Sequence, residues 1–196
     1  LALEIALAHE ALAHAFADAE RAGVPVSALR SASVIALTGR VADLPRAAQS
    51  LLVAVDAVQP TALCSVLRDA EDALLAIGGV IAAERDDARP ASRYEPELGA
   101  RHHPIALVAS LDRAATLHLV HEGVKTEERV EPGDLRLLPL RGEVELVSRG
   151  TALRGRGATG PLGLLIDGRG RPLTLPLRDA ERVPEVARWS QAVGAI

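Results

Sequence analysis

The amino-acid sequence predicts an α+β protein, in which an N-terminal α/β segment is followed by a β-rich C-terminal domain with a terminal helix. Up to about residue 84, Ala- and Leu-rich stretches of helical character alternate with short apolar runs. After about residue 103, short β-branched or alternating segments are separated by turn residues. A charged, proline-containing stretch lies between the two parts. We therefore expect a first unit at 1–88, a linker at 89–102 and a second unit at 103–196.

The first unit is predicted to contain three helices with two strands between them. The first helix ends at Gly23. Asp43 is expected to cap the second helix, with Pro45 in its first turn and Pro60 closing it. Asp69 is expected to cap the third helix. The strands are predicted at 33–39 and 61–69. Because helices and strands alternate, the two strands should be parallel.

The second unit is predicted to consist of short strands, a glycine-rich loop, a hairpin and the terminal helix. Strands are expected at 105–110, 115–122, 124–130, 135–140 and 142–148, and the helix at 181–194. The hairpin is predicted at 164–175, with its leucines and isoleucine in the core. Gly168 and Gly170 would take positive φ angles in its turn, and Arg169 and Arg171 would face solvent.

Composition excludes several classes of protein. The net charge of −4 argues against nucleic acid as a partner. No run of 18 or more apolar residues is present, so we expect no membrane partner. A single cysteine, Cys64, cannot form an internal disulfide. We therefore expect a cytoplasmic protein. Arginine is used almost to the exclusion of lysine, with Lys125 as the one exception, which fits a GC-rich genome and a thermophile.

Gly155, Gly157 and Gly160 have the G-x-G-x-x-G spacing of a dinucleotide-binding turn. In such a site the glycines follow a strand and open a helix whose N-terminus receives the pyrophosphate. Here Pro161 and a short apolar run follow, which predict a strand instead of a helix. We therefore interpret these glycines as a loop, not as a cofactor site.

Histidines and serines provide no catalytic or metal-binding pattern. His118, His121 and Glu122 lie close together in the sequence, but residues three apart in a strand point to opposite faces. No G-x-S-x-G nucleophile turn is present. We assign no catalytic residue and no metal ligand, and we expect that the chain is not an enzyme.

Arginines concentrate around the glycine-rich region, where a nearby acid is Asp167. Guanidinium groups beside glycine turns can bind phosphate or carboxylate. The alternative is a solvated hairpin tip in an arginine-rich protein. The candidate anion- or partner-binding residues are Arg154, Arg156, Asp167, Arg169 and Arg171.

Several segments resemble those of one known family. They are "VIALTG" at 34–39, "DAVQP" at 56–60, "LLAIGGVIA" at 74–82, "GPLGLLIDGRGRPL" at 160–173 and "ERVPEVARW" at 181–189. Through them the chain is similar to the C-terminal part of the glutamate mutase L proteins, a MutL-like family found beside cobalamin-dependent mutases. The mismatch-repair protein of similar name is unrelated.

The resemblance implies that the first unit is the end of an actin-like ATPase domain. That family has Gly-Gly in its adenosine turn, where this chain has Thr38 and Gly39, so these two residues would form a degenerate nucleotide site. No phosphate-binding hairpin precedes residue 33, so ATP and Mg²⁺ would bind only if such hairpins lie upstream. We expect no ATP hydrolysis by this chain alone. Because the sequence begins at Leu1 and has no methionine, we expect a piece of a longer protein.

Two hypotheses about function follow. By resemblance, the chain is a non-enzymatic accessory or interaction module of an actin-fold ATPase, with a mutase-like enzyme as its protein partner in a chaperone or reactivation role. Alternatively, it is a protein that binds a small anion or another ligand through its arginine–glycine loops. Residues upstream of Leu1 would discriminate between the two.

Overall fold

The computed structural model describes residues 2–69, residue 74 and residues 104–196. These residues form three layers: helices, a five-stranded sheet and a four-stranded sheet. The chain is therefore mixed α+β, with two sheets and a C-terminal helix, as predicted. None of the described helices has the length and apolar character that crossing a bilayer requires.

Five helices and nine strands lie in the described residues. The helices are α1 (Ala2–Arg21), α2 (Val26–Arg30), α3 (Gly39–Ala42), α4 (Ala47–Val58) and α5 (Asp179–Ala192). The first strands are β1 (Val34–Leu37), β2 (Leu63–Arg68), β3 (Pro104–Ser110), β4 (Ala115–His121) and β5 (Val124–Val130). The others are β6 (Leu135–Leu138), β7 (Gly142–Arg149), β8 (Arg154–Thr159) and β9 (Gly163–Asp167).

The five-stranded sheet has the order β1-β2-β3-β9-β6. β1 and β2 are parallel, which confirms the expectation from the alternating helices and strands. β3 pairs antiparallel with β2 and parallel with β9. The segments predicted as separate units at 1–88 and 103–196 thus contribute strands to one sheet. The linker predicted at 89–102 lies outside the described residues.

The four-stranded sheet, ordered β5-β4-β7-β8, covers one face of the first sheet. Leu117 and Leu146 from this sheet are buried in a cluster with Leu107 of β3. On the opposite face, Leu51 of α4 is buried in a cluster with Val108 of β3. Since neighbouring side chains of β3 enter different clusters, this central strand is buried on both faces, as its continuous apolar run indicates.

The N-terminus of α4 differs from the prediction. α4 begins at Ala47, whereas Asp43 is the C-terminal cap of α3, so the predicted cap was wrong. The N-terminus of α4 is stabilised instead by Gln49, whose side-chain oxygen accepts a hydrogen bond from the Arg46 amide at 3.2 Å.

The helix predicted after Asp69 lies outside the described residues except for Leu74, whose amide donates to the Asp69 carboxylate at 2.9 Å.

The G-x-G-x-x-G glycines occur in a strand and the turn after it, so the prediction of a loop was wrong for most of this stretch. Gly155 and Gly157 lie in β8, which packs across the five-stranded sheet. A Cβ atom on Gly157 would lie 2.8 Å from a methyl group of Leu107, and one on Gly155 would lie 2.8 Å from a methyl group of Leu63. Gly160 approaches a backbone more closely still, since its Cβ would lie 1.8 Å from the Pro104 carbonyl oxygen. These glycines allow two sheets to approach each other.

Candidate functional site

A buried ionic cluster lies at the end of β9. Asp167 is the last residue of this strand and is fully buried. Its carboxylate accepts hydrogen bonds from Arg169 Nε at 3.0 Å and Arg169 Nη2 at 2.8 Å, and it also accepts one from Arg171. Asp56, on α4, accepts from Arg169 Nη2 at 2.7 Å. We call Asp56, Asp167, Arg169 and Arg171 the ionic cluster.

The structure of the segment after β9 differs from the predicted hairpin. The side chains of Arg169 and Arg171 are only 1% and 7% exposed, although both were expected to face solvent. Residues 172–176 form no strand, so β9 has no hairpin partner there. Gly170 has the expected positive φ, but Gly168 does not. The physical reason is charge: a carboxylate buried at the end of β9 is stable only with cations beside it, so the following chain turns inward.

Gly168 is needed for close approach, not for a turn conformation. A Cβ atom there would lie 2.8 Å from the Glu131 carbonyl oxygen and 2.8 Å from a Val130 methyl group. The Gly168 amide donates to the Asp134 carbonyl oxygen at 2.8 Å. The chain after β9 is therefore pressed against the β5–β6 connection as it leads into the ionic cluster.

The charges shift the pKa values of the two acids in opposite directions. Burial raises the pKa of Asp56 above its ordinary value, against the lowering effect of Arg169. Burial also acts to raise the pKa of Asp167, but the hydrogen bonds and charges of Arg169 and Arg171 outweigh it and hold that pKa below its ordinary value. Asp167 is thus the firmly ionised member of the pair.

Further contacts connect the cluster to both neighbouring helices. The guanidinium carbon of Arg169 lies 4.8 Å from the centroid of the Trp189 ring on α5, within the range of a cation–π contact. Arg171 donates to the Pro60 carbonyl oxygen at 3.3 Å, just after α4. The Leu173 amide donates to the Gln59 side-chain oxygen at 2.8 Å. The segment after β9 therefore connects α4, the sheet and α5.

A cleft of about 540 Å³ opens beside the ionic cluster. Three connections form it: the one before β2, the one after β3 and the one between β7 and β8. Arg171, a member of the ionic cluster, also lines the cleft. Its lining residues are Thr61, Ala62, Leu63, Ser110, Leu111, Asp112, Arg113, Thr151, Ala152, Leu153, Arg154 and Arg171. Since these connections meet where β3 and β9 end, the cleft lies at one end of the five-stranded sheet.

Two polar side chains in the cleft have no partner among the described residues. Ser110 is only 5% exposed, and its hydroxyl oxygen is buried and makes no hydrogen bond with any described residue. Arg154 is exposed at the start of β8, and its side chain forms no ion pair or hydrogen bond with another described residue. A buried hydroxyl without a partner costs about 1–3 kcal/mol, so such a group needs an explanation.

Other polar groups of the cleft are already engaged. Arg113 pairs with Asp112 at 3.2 Å. The Thr151 hydroxyl donates to Ser148 at 2.8 Å, and the Thr61 hydroxyl donates to the Arg30 carbonyl oxygen at 3.3 Å. Among the described residues, Arg154 is therefore the arginine of the cleft lining that has no acidic partner, whereas the Ser110 hydroxyl is unpaired but buried.

The structure separates the arginines that the sequence placed together. Arg169 and Arg171 belong to the ionic cluster, and Arg171 and Arg154 line the cleft. Arg156, two residues further along β8, pairs with Glu143 of β7 at 2.7 Å and lies outside the cleft. The predicted single group of arginines is thus divided between the ionic cluster, the cleft and the exposed pair of Arg156 with Glu143.

Thr38 and Gly39, the candidate nucleotide residues, lie at the other end of the sheet. β1 and β2 are parallel and end together, with Leu37 opposite Arg68, whereas the cleft is beside Leu63 at the start of β2. Thr38 caps the four-residue helix α3 without a side-chain hydrogen bond, and Gly39 has a φ of 58°. The structure therefore does not bring these residues together with the arginines.

The histidines of β4 have separate partners. His118 lies 3.0 Å from Glu127 of β5, and His121 is within 2.6 Å of the Arg141 carbonyl oxygen. In the described part of the chain, no three His, Cys, Asp or Glu side chains are grouped as metal ligands would be.

Sequence reasoning missed Ser110 and Asp56 as members of the site. Ser110 ends a strand and has the sequence features of an ordinary turn residue. Asp56 lies within an apolar helical stretch, and a lone acid flanked by valine and alanine was a signal that could have drawn attention to it. Its pairing with Arg169, 113 residues away, has no signature in the sequence.

Comparison with known proteins gives no assignment: no family model, no curated protein and no solved structure matches this chain.

Proposed function

We propose that this protein binds a small anionic ligand in the cleft between the connections that contain Ser110 and Arg154. The observation that carries the proposal is that Arg154, which is exposed and has no acidic partner among the described residues, lines this cleft beside the apolar side chains of Leu63 and Leu153. A carboxylate or phosphate group would accept hydrogen bonds from the Arg154 guanidinium, and charge-assisted bonds of this kind are among the stronger ones in proteins.

The size of the cleft supports this proposal. Pockets for small ligands usually enclose about 300–1,000 Å³ and combine apolar walls with a few polar groups. The cleft falls within that range, and Leu63, Leu111 and Leu153 supply apolar walls. It therefore has the composition of a binding site for a small molecule.

Binding, and not catalysis, is the role proposed. Asp112, the acid in the lining, is held by the neighbouring Arg113 guanidinium, and its pKa lies below the ordinary value because of that hydrogen bond. It is therefore a poor base for activating the Ser110 hydroxyl. The accessory-module hypothesis rests on the family resemblance alone and stays a prediction for the upstream sequence to test.

The test is a thermal-shift experiment at constant ionic strength. Sodium hexanoate, sodium phosphate and sodium pyrophosphate are each added to the wild type and to the variants Ser110→Ala, Arg154→Ala and Arg156→Ala. We expect at least one anion to raise the Tm of the wild type and of Arg156→Ala, because a ligand that binds only the folded state stabilises it. The shift should be small or lost in Arg154→Ala, whereas Ser110→Ala, which removes a buried hydroxyl, should retain it. Equal shifts in all four proteins, or none in the wild type, would overturn the proposal.

A further inference from the structure

From the cleft's charge balance and its apolar walls, we infer that its ligand is a monocarboxylate with a short aliphatic chain. This inference rests on the proposed function and names the class of ligand for that site. Its two observations are independent of each other: one concerns the charges that line the cleft and the other concerns its apolar walls.

Among the described residues that line the cleft, one arginine has no compensating acid. Arg113 is neutralised by its pair with Asp112. Arg171 is neutralised within the ionic cluster, whose two arginines face two carboxylates. Arg154 remains, without an acid among the described residues. A ligand with one negative charge would neutralise Arg154. Phosphate and pyrophosphate carry additional negative charge, for which the described lining offers no further unpaired cation.

Leucines form the apolar wall of the cleft. Leu111 is buried in the cluster between the two sheets, and Leu63 and Leu153 pack against that cluster from its edge. An aliphatic chain lying on this wall would extend the core that fills the space between the sheets. Burying apolar surface in this way is favourable in proportion to the area removed from water.

Together these features orient the ligand. The carboxylate would accept hydrogen bonds from the Arg154 guanidinium, and the chain would lie toward Leu63, Leu111 and Leu153. Affinity should therefore depend both on the charge and on the chain length. At the usual free energy per buried methylene, each added CH₂ increases the affinity about fourfold until the wall is covered.

Isothermal titration calorimetry tests this inference with acetate, butanoate, hexanoate, hexanol, phosphate and pyrophosphate. We expect affinity to rise from acetate to hexanoate, and we expect hexanol and both phosphates to bind more weakly than hexanoate. Arg154→Ala should weaken hexanoate binding at least tenfold, whereas Arg156→Ala, the matched change on the same strand, should leave it unchanged. Leu153→Ser should reduce the gain per methylene while acetate binding is preserved.

The outcomes separate the inference from the proposed function. If phosphate or pyrophosphate binds more tightly than hexanoate and does so through Arg154, the monocarboxylate inference is overturned and the anion-binding cleft stands. If no probe binds in a way that depends on Arg154, or hexanol binds as tightly as hexanoate, both are overturned.

Discussion

Arg169 contacts both acids of the ionic cluster, and its removal would leave the fully buried Asp167 with a single cation. Truncating one partner of a buried ion pair typically destabilises a protein by about 3–5 kcal/mol, because the other charge remains in the interior. We therefore expect Arg169→Ala to lower the free energy of unfolding by about that amount. Urea denaturation followed by circular dichroism measures it.

Arg156→Ala is the matched control, because this arginine pairs with Glu143 at an exposed position. Exposed pairs contribute about 0–1 kcal/mol, so this variant should unfold close to the wild-type midpoint. If the two alanine variants had similar midpoints, the ionic cluster would have no special role in stability.

Leu164, on β9, is fully buried in the cluster between the sheets, as the sequence predicted. We expect Leu164→Ala to cost about 2–5 kcal/mol because it removes core contacts and leaves a cavity. Arg169→Ala should cost a comparable amount, although sequence reasoning expected that change to leave folding almost untouched. Chemical denaturation of both variants under one set of conditions compares them, and a near-neutral Leu164→Ala would contradict the assigned core.

The two acids should give stability opposite pH dependences. Asp167 has a lowered pKa when folded, so its contribution is present above its unfolded pKa and is lost as the pH falls below about 4. Asp56 has a raised pKa, so stability decreases as the pH rises from about 4 through that raised value. In Asp56→Asn this decrease should disappear, so that the gain in stability from pH 4 to pH 7 exceeds that of the wild type. Unfolding free energies at a series of pH values measure the difference, and identical profiles would contradict the assignment.

At the scale of single residues, the sequence predicted the members of the ionic cluster better than it predicted their burial. It identified Asp167, Arg169 and Arg171 as a group, because charges following a buried strand are conspicuous. It could not predict that the arginines turn inward, because their second acid, Asp56, is distant in sequence and meets them only in the folded chain. The burial of Ser110 could not be predicted from the sequence either.

At the scale of elements, β8 shows how glycine spacing determines the packing of the two sheets. Gly160→Ala should be more destabilising than Gly157→Ala. A Cβ at position 160 would meet the Pro104 backbone, which cannot move without breaking the sheet, whereas one at position 157 would meet a methyl group of Leu107. Overpacking of the latter kind costs about 1–3 kcal/mol. Urea midpoints of the two variants test this order, and a larger loss for Gly157→Ala would contradict it.

Sequence periodicity predicted most strands well because alternation and β-branching are local properties. β3, β4, β5 and β7 lie close to the expected positions. β8 was missed because its glycines and arginines have low strand propensity, and its conformation is fixed by pairing with β7 over six residues. The predicted second arm at 172–175 failed because its hydrogen bonds and charges go to α4 instead of a strand partner.

At the scale of the whole molecule, the ionic cluster and the cleft occupy the same end of the five-stranded sheet. Arg171 belongs to both, since it pairs with Asp167 and lines the cleft. The cluster connects α4, β9 and α5, and through Arg171 it forms one wall of the cleft. The sequence predicted the fold class, but the cleft depends on three connections that are far apart in the chain, and only the sheet order brings them together.

The anion-binding cleft can be tested by an NMR titration of ¹⁵N-labelled protein with whichever of hexanoate or phosphate raises the Tm more. We expect the largest amide shifts at 110–113 and 151–154, because these segments line the cleft in which Arg154 would bind the anion. Arg154→Ala should abolish these shifts while Arg156→Ala retains them. If the largest shifts instead lay around 141–145 and Arg156, or if neither anion produced saturable shifts, the cleft would not be the anion-binding site.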